Sequence, residues 1–303
     1  MSVSQLERAR NLERPSREAM LQRAPSVQQF WNTNRKLLSE AWHEWEAVTK
    51  ENLLPASDGL LDADLKEAIT QAWQDPSKEF LLANLLRKVS PGVYQLQLFN
   101  PERLNELRAY LDSVADAQIP LRPPYGIALN RLGVMLDSRS EGYLAAPSFQ
   151  SFYRELLDKY MRPIARFLFP ELMGYDSQTF GFSIQYQAGV DTSLQLHTDA
   201  SAATLNINLN LPEEEFTGSE VDFYNPVTGA VNRLSFEPGT AMIHRGNIPH
   251  AAQPITSGSR TNLVLWLYGD NGEIPSHSVI REETHAHQRW TVPQDKRDEF
   301  APF

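Results

Sequence analysis

Leu196-His197-Thr198-Asp199 sets an imidazole and a carboxylate two residues apart, His250 follows 51 residues after Asp199, and Arg260 comes ten residues later. Two imidazoles and one carboxylate are the donor set that holds a non-haem iron(II) ion on one face and leaves its other positions open. On an extended strand, or at its end, residues 197 and 199 point the same way, so both can reach one ion. His250 must then arrive from a neighbouring strand. Arg260 offers a planar fork that pairs bidentately with a carboxylate and stays charged in a partly dry pocket. His-x-Asp alone is weak, because seven histidines in an acidic chain will place one near an Asp by accident. Its weight comes from the context: an alternating run Thr204-Leu205-Asn206-Ile207-Asn208-Leu209-Asn210, hairpin turns, a second His behind Pro249, and a cation entering a last strand.

From about Phe180 the chain reads as short alternating segments separated by turn chemistry, the mark of an antiparallel sandwich or barrel. The expected strands are Phe182–Gln187, Ala203–Leu211, Glu220–Tyr224, Val231–Phe236, Thr240–His244 and Thr261–Tyr268, with turns at Asn225-Pro226-Val227-Thr228-Gly229 and Glu237-Pro238-Gly239. Residues 16–170 read mainly as helices. Trp31, Leu37, Leu38, Trp42 and Trp45 share one helical face, and Asn100-Pro101-Glu102 opens a second helix with a capping Asn. A third run, Phe149 to Phe169, is amphipathic until Pro170 stops it. No internal repeat is visible. The expected organisation is an arm over 1–25, a helical layer over 26–175, a sheet-built core over 176–270 and a polar tail over 271–303, packed as one unit. Five Arg before residue 24 are interleaved with Glu7, Glu13 and Glu18, which argues against a transit peptide and for a partly helical arm.

The 303 residues suffice for a large core without staples, and 41% apolar content with fourteen Phe and six Trp is that of a folded globular chain. With no cysteine, disulfides, thiolate nucleophiles, iron–sulfur clusters and Cys-based zinc sites are excluded, so a metal must be held by His, Asp or Glu. The net charge of −10 disfavours a phosphate backbone as partner, and nucleic acid is not expected. No stretch has the length of a membrane span or the apolar core of a secretory signal, which makes the cytoplasm the expected compartment.

Taken together, Gly181-Phe-Ser-Ile-Gln-Tyr186, His197-Thr-Asp199, Thr204-Leu-Asn206, Glu215-Phe-Thr-Gly218, His244-Arg-Gly246, His250 and Arg260-Thr-Asn262-Leu-Val-Leu-Trp266 resemble the iron(II)/2-oxoglutarate-dependent dioxygenases, nearest the prolyl and lysyl hydroxylase branch. The resemblance covers about ninety residues and says little about substrate. It implies an α+β fold: a double-stranded β-helix (jelly-roll, cupin-like) of roughly eight strands with an N-terminal helical layer, a size that holds one small ligand. It makes His197, Asp199 and His250 the iron ligands and Arg260 the partner of the distal carboxylate of 2-oxoglutarate. The implied chemistry consumes dioxygen and 2-oxoglutarate, releases succinate and carbon dioxide, and hydroxylates a substrate C–H bond. The carboxylate at 199 favours hydroxylation, since resembling iron halogenases leave that position small. Glu213-Glu214-Glu215 and Asn225-Pro226 depart from the family in its turns. The substrate could be a peptide or protein residue, a free amino acid or a natural product.

Several residues carry two readings. The Tyr186 phenol could bond the co-substrate carboxylate or be a core aromatic satisfied elsewhere. Asn206, Asn208 and Asn262 could line a barrel lumen or a solvated face, and Asn262 is a candidate co-substrate contact. His244 is expected to be a structural or near-site hydrogen-bonding residue and not a fourth ligand. His277, His285 and His287 are expected in a solvated tail. Residues 119–146 mix rigid Pro, hinge-capable Gly, aromatics and guanidiniums as binding loops do, which makes Arg122 and Arg131 candidate substrate contacts. Their alternative is pairing with surface acids. Two rival functions remain: a cupin-like metal enzyme without 2-oxoglutarate, for which Arg260 is dispensable, and a catalytically silent barrel that only binds.

Overall fold

The computed structural model describes residues 4–49, 54, 57–225, 227–276 and 284–293. Nine α-helices are present among these: α1 (Gln5–Arg10), α2 (Arg17–Leu21), α3 (Pro25–Val48), α4 (Ser57–Leu60), α5 (Ala63–Gln74), α6 (Leu104–Asp116), α7 (Pro147–Glu155), α8 (Arg162–Leu168) and α9 (Ala286–Arg289). Thirteen strands accompany them: β1 (Arg87–Ser90), β2 (Val93–Gln97), β3 (Val134–Met135), β4 (Gln178–Gln187), β5 (Leu194–His197), β6 (Ala203–Asn208), β7 (Thr217–Gly218), β8 (Val221–Tyr224), β9 (Val231–Leu234), β10 (Thr240–Arg245), β11 (His250–Ala252), β12 (Ile255–Ser257) and β13 (Ser259–Tyr268).

All pairings are antiparallel. A seven-stranded sheet runs β1-β2-β10-β6-β13-β4-β3, a four-stranded sheet runs β5-β11-β8-β9, and β12 pairs with β7. The fold is thus α+β, with helices set against antiparallel sheets. The strands expected from the alternating pattern are present with ends moved by a few residues. Others were not expected: β1, β2 and β3 come from before residue 175 and extend the large sheet at both edges. The short β5 and β11 form half of the small sheet.

Side-chain alternation explains how the large sheet serves two environments. Leu205, Ile207, Leu263, Leu265 and Leu267 join the helices in one continuous core with Trp31, Trp42, Trp45, Leu107 and Phe149. The alternate positions on β4 and β13, Phe182, Ile184, Tyr186, Val264 and Trp266, form a separate cluster on the other face. A one-residue slip of β13 would exchange these sets and place Arg260 in the helical core. Asn208 and Asn262 are fully buried, which decides between lumen and solvated face: they lie inside.

The helical layer follows its apolar stripes. On α3 the buried residues are Val27, Trp31, Leu38, Ala41, Trp42 and Trp45, with Leu37 only partly covered. Asn100 caps the start of the α6 region by accepting from the Glu102 amide at 2.9 Å. The run Phe149 to Phe169 is not one regular helix, because a π-helical turn, Leu156–Met161, separates α7 from α8. Pro163 is the cause: it lacks an N–H and crowds the carbonyl four residues back. That carbonyl, Lys159 O, takes the Trp73 indole N–H at 2.9 Å instead. In the arm, α1 is docked, with the Leu6 amide donating to Glu44 Oε2 at 2.7 Å.

The C-terminal stretch is only partly a solvated tail. His285 and His287 are exposed, but Trp290 is buried and donates through Nε1 to Glu79 at 3.0 Å, and Arg166 reaches the Thr291 carbonyl at 2.7 Å. His277 lies outside the described residues, as does Pro226 of the expected turn. Among the described residues no helix is long and apolar enough to cross a membrane.

Candidate active site

A cavity of about 390 Å³ opens between the two sheets. The small sheet supplies His197 at the end of β5 and His250 at the start of β11, which are register partners in adjacent strands. Asp199 follows β5 and is fixed at two points. Its amide donates to Gly246 O at 2.8 Å, and its Oδ2 accepts from Thr204 Oγ1 at 2.5 Å. Gly is needed at 246, since a Cβ there would lie 1.9 Å from Ser201 O.

One ligand atom from each of His197, Asp199 and His250 lies within 4.8 Å of the others. Asp199 Oδ1 is 3.5 Å from His197 Nε2 and 3.9 Å from His250 Nε2, and the two imidazole rings are 4.3 Å apart. His197 Nδ1 faces Gln195 O at 2.7 Å and His250 Nδ1 faces Ile248 O at 3.0 Å. Backbone carbonyls only accept, so each ring carries its proton on Nδ1 and turns a lone pair on Nε2 toward Asp199. Neutral imidazoles plus a carboxylate are what a divalent ion requires.

The electrostatics agree for Asp199 and His250. Burial disfavours the Asp199 charge, but His250, His197, His244 and the Thr204 hydroxyl outweigh it and hold its pKa well below the carboxylate range. Burial lowers the His250 pKa, with Asp199 opposing it. For the more open His197, burial is outweighed by the bonds that its charged form makes to Asp199 and Gln195 O, and its pKa is raised, so a proton competes with an ion for Nε2. His244 stands behind this group: its Nδ1 meets Arg245 O at 3.0 Å, its Nε2 is 3.8 Å from Asp199 Oδ2, and burial pushes its pKa down to about 4.

The large sheet supplies Arg260, opposite Tyr186 in the β13–β4 register. Its guanidinium lies between the Tyr186 ring at 4.8 Å and the Phe236 ring at 4.9 Å, and Nη1 donates to Ser219 O at 2.5 Å. Nε has no partner, and no carboxylate pairs with Arg260 among the described residues. Burial lowers its pKa to about 10, with Tyr186 opposing, so the group stays cationic at neutral pH. Burial raises Tyr186 to about 12, which leaves a neutral phenol in the cavity wall.

The other expected contacts are placed differently. Asn262 does not line the cavity; its Nδ2 donates to Asn206 Oδ1 at 2.6 Å, and Asn206 is the residue on the wall. Arg131 pairs with Asp191 at 3.3 Å, and Arg122 lies 3.6 Å from Glu141 in a separate cavity. The loop they belong to does reach the site, through Gly126, Ile127 and Ala128. Three contributors were not foreseen. Thr204 is an inward hydroxyl five residues after Asp199, a signal available in the alternating strand. Phe236 and Ser219 flank Arg260 across chain distances that no local pattern encodes.

No family model matches the chain. Over 191 residues it is 30% identical to a 2-oxoglutarate and iron-dependent oxygenase domain-containing protein of Arabidopsis thaliana, covering 58% of this chain and 45% of that protein. Over 201 residues it is 32% identical to 2-oxoglutarate and iron-dependent oxygenase domain-containing protein 2 of Xenopus tropicalis, covering 62% and 52%. Procollagen-lysine,2-oxoglutarate 5-dioxygenase 1 of Rattus norvegicus is 29% identical over 201 residues, 62% of this chain and 25% of that one. The chain spans about half the length of the first of these relatives. The resemblance read from the motifs therefore recurs over a stretch of the chain twice as long as the motifs themselves.

Proposed function

We propose that the chain is an iron(II)/2-oxoglutarate-dependent oxygenase in which His197, Asp199 and His250 hold the metal and Arg260 anchors the distal carboxylate of the co-substrate. One observation carries this reading: a three-donor cluster and a buried guanidinium without an ion-pair partner among the described residues share one cavity. The donor set fits a divalent ion, because both Nε2 lone pairs and an ionised carboxylate converge. When bound, iron and 2-oxoglutarate supply the oxidising power: 2-oxoglutarate, dioxygen and a substrate C–H give succinate, carbon dioxide and a substrate C–OH. The chain's own residues position and shield. Gln195 O and Ile248 O orient the imidazoles, Thr204 orients Asp199, and Tyr186 with Phe236 keeps water from the Arg260 guanidinium. Phe182, Ile184, Val264 and Trp266 make the inner wall apolar.

Two antiparallel sheets with the site between them support a double-stranded β-helix core over residues 176–270, braced by the helical layer and widened by β1–β3. A relative named for procollagen lysine supports a peptide or protein residue as substrate. Cupin-like chemistry without 2-oxoglutarate is less well supported, since it leaves the buried Arg260 charge without a role.

The test is anaerobic iron(II) binding measured by calorimetry and metal analysis on the wild type and on His197→Ala, Asp199→Ala and His250→Ala. Each variant should lose the tight site while keeping the wild-type circular dichroism. Undiminished iron affinity in any of them would overturn the ligand assignment.

A further inference from the structure

A second cavity, of about 410 Å³, lies between the α2–α3 corner and the 122–141 segment. Three guanidiniums, Arg23, Arg122 and Arg139, line it with a single acid, Glu141. Arg139 is already matched, because its Nε and Nη2 each hold the buried Asp137 carboxylate at 2.7 Å. Arg122 is held more loosely: its Nη1 is 3.6 Å from Glu141, an ion pair without a hydrogen bond, and only a quarter of its side chain is exposed. Burial lowers the Arg122 pKa; Glu141 opposes this and the Arg23 charge adds to it. Two cations, the largely buried Arg122 and the exposed Arg23, face one acid, so the cavity keeps a net positive charge with which an incoming anion can pair. Val27, Trp31 and Pro123 supply an apolar wall beside these charges.

We propose that this cavity binds a monocarboxylate, with Arg122 and Arg23 pairing with its oxygens and the Trp31 wall covering its carbon skeleton. The single surplus charge and the nearby Glu141 select a monoanion over a phosphate dianion. The cavity also adjoins the metal site: Arg23 Nη2 donates to Gly126 O at 3.1 Å, and Gly126 lines both cavities. An acidic side chain a few residues along a bound polypeptide could therefore reach it, and so could a free monocarboxylate. Binding at this cavity requires neither iron nor turnover.

The experiment is fluorine NMR on the full chain labelled with 5-fluorotryptophan, without metal, with the Trp31 signal assigned by its loss in Trp31→Phe. Four probes are titrated: acetyl-Gly-Glu-Gly-amide, its Gln counterpart, butyrate and inorganic phosphate. The Trp31 signal should move saturably with at least one carboxylate probe, while the Gln peptide leaves it unmoved. Response to the Glu peptide alone identifies a polypeptide ligand; response to butyrate identifies monocarboxylates in general. Arg122→Gln should weaken binding about tenfold or more, the loss of one charge-assisted bond. Arg23→Gln, at an exposed position, should act in the same direction and keeps the test available if Arg122→Gln does not fold. The site is refuted if neither carboxylate moves Trp31, if the Gln peptide or phosphate binds as well as the Glu peptide and butyrate, or if a folded variant binds as tightly as wild type.

Discussion

Replacing Arg260 by Met removes the guanidinium from between Tyr186 and Phe236 while leaving an unbranched apolar side chain to fill the space. In the wild type Nη1 is committed to Ser219 O and Nε has no partner, so the guanidinium has donors to spare for a carboxylate. One charge-assisted hydrogen bond contributes about 1.5–3 kcal/mol, which converts to an affinity loss of about 10- to 150-fold for 2-oxoglutarate. The upper end is expected, because Arg260 is already desolvated in the free protein and the carboxylate meets a buried charge without an ion-pair partner. Ser219 O loses its donor as well, so a modest fall in Tm should accompany the change, about 1–3 kcal/mol of stability. Iron should be retained, since Arg260 makes no bond to His197, Asp199 or His250. The assay is succinate formation against 2-oxoglutarate concentration at saturating iron(II), with metal analysis of the same samples. An unchanged KM would move the anchor elsewhere, with Tyr186 and Asn206 next to be tested. Loss of iron would make Arg260 a structural residue of the metal site.

Three further perturbations probe the supporting residues. Thr204→Val strips Asp199 Oδ2 of its 2.5 Å donor and should weaken iron binding about 10- to 100-fold in calorimetric titration, whereas Thr204→Ser should not; equal affinities would remove Thr204 from the site. Gly246→Ala sets a Cβ against Ser201 O and displaces the carbonyl that holds the Asp199 amide, so it should cost about 1–3 kcal/mol in thermal unfolding and lower iron content together. A stable, fully loaded variant would show that the contact relaxes freely. Ala128→Trp crowds the cavity wall and should raise the substrate KM while uncoupled conversion of 2-oxoglutarate persists; loss of both would place residue 128 in the metal chemistry and not in substrate binding.

The chemistry was more legible than the framework that carries it. The two-residue spacing of His197 and Asp199 is readable because it is local, and the structure brings both to His250 although Asp199 lies just past the end of β5. Yet β5 and β11, which carry the two histidines, are only four and three residues long and too short for a periodic signal. β1 and β2 join the sheet through β10, a pairing across more than a hundred residues that no window of sequence contains. The π-helical turn was encoded by Pro163, but its consequence depends on Trp73 being present to take the freed carbonyl. The loop setting and residue type of Arg122 and Arg131 fit substrate contact and pairing with acids equally, and tertiary packing turns them toward Glu141 and Asp191. Conversely, the alternating Asn residues left lumen and surface equally open until the two faces of the sheet were known.

The most direct measurement is release of labelled carbon dioxide from [1-¹⁴C]2-oxoglutarate together with succinate, followed with and without iron(II), in wild type and in Asp199→Ala. Iron-dependent release matched by equimolar succinate in the wild type, and absent from the variant, is the predicted result. Iron-loaded wild type that leaves 2-oxoglutarate unconverted, or equal conversion by Asp199→Ala, would contradict an oxygenase built on His197, Asp199 and His250.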